Sequence, residues 1–67
     1  MSFLIKRTTN SQNGEIVRYF MRATAMGPMF QTIDLARHFD TYEDAVSVIE
    51  GEYLRDFPGE IEVVEIV

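Results

Sequence analysis

Sixty-seven residues without a cysteine make one domain, 1–67, and exclude a disulfide, a thiolate metal site or a thiol nucleophile. Apolar residues at 46% supply a core, while a chain of about 60 residues buries only roughly 60% of its unfolded surface, which leaves dimerisation as the natural supplement. A net charge of −5 argues against nonspecific phosphate binding, and no uncharged apolar run approaches the ~20 residues that cross a bilayer.

The first residues place Lys6 and Arg7 after the apolar Phe3, Leu4 and Ile5, the reverse of a signal peptide, so a cytoplasmic protein is expected. Residues 3–9 and 15–23 read as strands around a turn at 10–14, because Asn13-Gly14 tolerates positive φ. A three-residue loop, Gln12 to Gly14 with Gly14 left-handed, would gather Phe3, Ile5, Val17, Tyr19 and Met21 on one face. A loop one residue different would turn every side chain over. Under that register the other face carries Lys6, Thr8, Arg18 and Arg22 among Leu4, Ile16 and Phe20.

Gly27-Pro28 punctuates a loop, and residues 29–35 read as a third strand with Met29, Ile33 and Leu35 inward. Asp40 or Thr41 caps a helix whose first turn holds Glu43 and Asp44, where the dipole favours anions. Tyr42, Ala45, Val46, Ile49 and Tyr53 recur at helical spacing, which extends the helix to about Arg55 despite Gly51. Pro58-Gly59 ends it. Residues 60–67 form a β-branched strand whose alternation slips: Ile61 and Val63 share one face, Val64 and Ile66 the other. A bulge at Val63-Val64 would realign them, or both faces are covered. The order β-β-β-α-β predicts an α+β fold, a small antiparallel-rich sheet of three to four strands with one helix on one face.

Five of six basic residues precede position 38, and nine of eleven acidic residues follow it. Such a split steers partners. Glu43, Asp44 and Glu50 point away from the helix stripe, and Glu60 and Glu62 share a strand face at roughly 6.6 Å. Gathered together, these carboxylates would imitate a nucleic-acid backbone toward a basic surface on another protein, with Phe20 and Met26 as apolar anchors. No pair of them has the buried setting that acid–base catalysis needs, so no enzyme is expected. His38 lacks companion ligands, and neither a metal nor a cofactor is expected. Lys6, Arg18, Phe20 and Arg22 would suit single-stranded nucleic acid, although the global charge opposes direct binding. Leu4, Ile16 and Phe20 on the same face would instead suit a homodimer.

The hairpin, then the run Ala36, Arg37, His38, Phe39, Asp40, Thr41, Tyr42, Glu43, Asp44 and Ala45, then a helix and a Val/Ile/Glu-rich strand, resembles small phage- or prophage-encoded accessory proteins. Some of these are anti-CRISPR or antirestriction inhibitors, which block a nucleic-acid-binding machine in the host cytoplasm. The resemblance implies a non-enzymatic protein-binding module acting on a host defence complex. It assigns no residue, and the basic hairpin face departs from a pure DNA mimic.

Overall fold

A computed structural model of the chain describes residues 1–66. Strands β1 (Ser2–Ser11), β2 (Gly14–Thr24), β3 (Gly27–Gln31) and β4 (Glu60–Ile66) form one antiparallel sheet in the order β3-β2-β1-β4. Helix α1 (Tyr42–Gly51) packs on one face. The smallest dimension, 17 Å, is that of two layers, one sheet and one helix. The α+β expectation holds, and among the described residues no helix is long and apolar enough to cross a membrane.

The hairpin register is not the one expected. Ser11 pairs directly with Gly14, so the loop is Gln12-Asn13, and Lys6 faces Tyr19 while Arg7 faces Arg18. The Ser11 hydroxyl sets this: it accepts the Asn13 N–H at 3.2 Å and donates to the Gly14 carbonyl at 2.9 Å. The same device closes the β2–β3 turn, where Thr24 Oγ1 accepts from Met26 N–H and donates to Gly27 O. Gly14 and Gly27, at φ 112° and 120°, take the backbone conformation that each turn requires. One residue of register turns β2 over relative to β1. Phe20, not Tyr19, enters the helix side, where it meets Phe30 edge-on and stacks on Phe39.

β3 ends at Gln31, short of the expected Leu35. Thr32 donates its hydroxyl to the Asp34 carboxylate, and Ile33–Leu35 winds into a 3-10 turn with Ile33 and Leu35 exposed rather than inward. A register shift in β2 between Phe20 and Arg22 accompanies a gap beside β1. The following segment fills that gap: Arg37 N–H donates to Phe20 O, and Phe3 and Phe39 exchange both backbone bonds at 2.9 Å.

Thr41 caps α1, its hydroxyl accepting the Asp44 N–H at 3.0 Å. Ala45 and Ile49 are buried, with Val48 packed beside them. The helix stops at Gly51, not Arg55, because Tyr53 turns left-handed at φ 53° and points to solvent. Tyr42 is likewise exposed, and Leu54 fills the place expected for Tyr53. β4 pairs with β1 from Ser2–Ile66 to Thr8–Glu60 without interruption, so the bulge is absent. Ile61 and Val63 pack against the helix-side core, which leaves Val64 and Ile66 on the other face with Leu4, itself buried yet outside that core. The strand's expected last position, residue 67, lies outside the described residues.

Candidate functional site

The two layers separate the carboxylates that the sequence joined. Glu43 and Glu50 lie two turns apart, about 10.5 Å along α1, and are exposed opposite Ala45 and Ile49. Asp44 lines a cleft of about 290 Å³ with Arg37, His38, Asp40 and Val48 at the helix start. Glu60 and Glu62 alternate with the core-facing Ile61 and Val63, so they project from the sheet face away from the helix. No single acidic surface therefore unites all five. Glu62 is also the partner of Lys6, its Oε1 3.5 Å from Nζ, the one ion pair among the described residues.

Of the two proposed apolar anchors, Met26 remains accessible and Phe20 does not. Phe20 is 1% exposed and cannot touch a partner, because the hairpin register delivers it to the core. Met26, at the β2–β3 tip, is 99% exposed. The register extends β2 past the level of Phe3, where the Tyr42 ring sits, and so places Met26 at the same end of the sheet as the start of α1.

The basic hairpin face does not form either. Arg18 shares the helix side with Phe20, whereas Lys6 lies on the reverse, as does Arg22 opposite Met29. Leu4, Ile16 and Phe20 fail as a dimer face for the same reason, Leu4 and Phe20 being buried on opposite sides. The arginines instead serve their own chain. Arg7 lies 5.1 Å from the Phe30 ring centroid and donates to Pro58 O at 2.8 Å. Arg37 lies over Phe39, Arg18 donates to Val17 O, and Arg55 donates to Ile61 O. An exposed cation–π contact contributes roughly 0.5–1 kcal/mol.

A second cleft, of about 280 Å³, runs between the hairpin and Pro58-Gly59 and is lined by Thr8, Thr9, Asn10 and Glu15. Among the described residues no three His, Asp or Glu side chains converge as metal ligands. Among the described residues, the helix carboxylates have no cation of their own chain within ion-pair distance.

The sequence reading missed the main-chain chemistry of the sheet edges. Phe3 spends its N–H and carbonyl on Phe39, so its cross-strand neighbour Glu65 directs its own outward, as do Val63 and Ile61 by alternation. The Arg55 bond to Ile61 O agrees with that direction. At the other edge, Phe20 O is taken by Arg37, so the Phe20–Phe30 pair is not hydrogen-bonded; the same parity turns Pro28, opposite Ala23, outward. Proline there has no N–H to offer, which blocks that edge. No protein-family model, no curated protein and no solved structure matches the chain.

Proposed function

We propose that this chain is a non-enzymatic protein-binding module whose acidic helix face meets a basic, nucleic-acid-binding surface on another protein. In this reading it acts as a phage-encoded anti-CRISPR or antirestriction inhibitor does, on a host defence complex. The observation that carries the reading is the state of Glu43, Asp44 and Glu50: all three are exposed, and none is ion-paired. Among the described residues the five arginines make no ion pair either, but four of them are bound to their own backbone or rings. Met26 adds an apolar contact at the end of the sheet where the helix begins. Glu60 and Glu62 drop out of this contact, since the sheet separates them from the helix. Charges of this kind speed association and set its salt dependence, with the apolar tip supplying part of the affinity.

The test is a lysine reversal at Glu43, Asp44 and Glu50, with Thr41 kept so that the helix cap survives. Affinity for a partner isolated with the native chain should fall at least about tenfold, and the partner should recover nucleic-acid binding. The same reversal at Glu60 and Glu62 should leave that affinity unchanged. Equal binding by the helix variant, at matched folding and salt, would end the proposal.

A further inference from the structure

The outer edge of β4 carries main-chain groups that β1 does not use, of which the Ile61 carbonyl already accepts from Arg55. We propose that two copies of this chain join edge to edge through β4, antiparallel, into one continuous eight-stranded sheet with both helices on the same side. This rests on the main chain of Glu60–Ile66 and does not depend on the inhibitor reading.

The geometry points to this occupant in three steps. Among the two edges, β3 is five residues long and carries Pro28 with its ring nitrogen outward, whereas β4 presents Ile61, Val63 and Glu65 with N–H and carbonyl groups facing away from β1. Full overlap of β4 with its own copy then sets Val63 on the two-fold axis, a hydrogen-bonded pair, and Ile61 against Glu65 of the second copy in the next such pairs. In that register every glutamate lies opposite an apolar residue: Glu60 opposite Ile66, Glu62 opposite Val64, Glu65 opposite Ile61. Sliding by one residue sets Glu65 against Glu60 or Glu62 and leaves one residue of every pair with its main-chain groups turned toward β1. Like charges directly opposed are destabilising.

Charge favours the same arrangement. Arg55 donates to Ile61 O on the outer side of β4, so in the dimer the Glu65 N–H of the second copy shares that carbonyl with the guanidinium or displaces it. The second copy would bring its Glu65 carboxylate to that position, an exposed anion beside an exposed cation. Glu62, which the pairing draws toward its symmetry mate, is neutralised by Lys6. The interface is small. Seven residues of strand edge fall below the ~1,200 Å² of a standard interface, which corresponds to a weak dimer.

Sedimentation of the full chain from about 1 μM to about 1 mM should show a reversible monomer–dimer equilibrium. Glu65→Pro removes an outward N–H that the β1–β4 ladder does not use. It should raise the dissociation constant about 30-fold, two ladder bonds being lost by symmetry, with the monomer still folded. Arg55→Glu should weaken the dimer, and the double variant Arg55→Glu/Glu65→Arg should restore it, a rescue that tests the register without proline. A chain that stays monomeric throughout would overturn the proposal. A dimer indifferent to Glu65→Pro, or a charge swap without rescue, would do the same by placing the contact elsewhere.

Discussion

Tyr53 shows how one backbone angle decides where a helix ends. An aromatic side chain at φ 53° and ψ 42° costs roughly 1–2 kcal/mol relative to a right-handed residue, and the exposed ring recovers little of that. The return comes from the next position: Leu54 reaches full burial because the chain turns there. Asparagine tolerates the left-handed region better, so Tyr53→Asn should stabilise the fold by about 0.5–1 kcal/mol, read from urea unfolding with an unchanged slope. Helical spacing favoured Tyr53, four residues after Ile49, over Leu54, five after it, so the stripe pointed to the residue that the structure exposes. The cap was legible, because Thr41 followed three residues later by Asp44 is a local signal with a local cause.

At the scale of elements, the two hairpin turns are one motif used twice, a hydroxyl residue three positions before a glycine. Ser11→Ala and Thr24→Ala should each cost about 1 kcal/mol. They should add in the double variant, since the turns lie at opposite ends of β2. Equilibrium unfolding of the three variants checks this. The same motif explains why the strands were legible and their register was not. Apolar alternation located β1 and β2, but Asn13-Gly14 suggested a different loop, and only the Ser11 hydroxyl selects Gln12-Asn13. Once the register slipped, Phe20 and Arg18 went to the helix side together, while Lys6 and Arg22 stayed on the reverse. The third strand was misread for a related reason: Thr32 and Asp34 bond to each other locally, and that closes a turn where extended chain was expected.

For the whole molecule, the thinness of the fold sets both its stability and its surface. A chain of this length carries roughly 3–10 kcal/mol of stability at the usual 0.05–0.15 kcal/mol per residue. Ile49→Ala, in the middle of the helix–sheet seam, should remove about 2–5 kcal/mol. The variant's unfolding midpoint should therefore fall well below that of the native chain by circular dichroism, and a cooperative transition near that of the native chain would contradict this account of the core. The carboxylates were legible as charges but not as a surface. Sequence order says which residues are acidic and which face of their own element they occupy. It does not say that α1 lies on the Ile61 side of β4, and that placement is what divides Glu43 and Glu50 from Glu60 and Glu62.

Because β1 lies between β2 and β4, it gains one neighbour from a two-residue turn and the other from a strand more than fifty positions away. The near partner forms on the microsecond scale of a hairpin, while the distant one waits for a long loop to close. Leu4 and Ile5 therefore stay beside an unpaired flank for most of the folding time. Residence in that half-built state, rather than the strength of the finished sheet, is what sets this chain's exposure to misassembly during refolding.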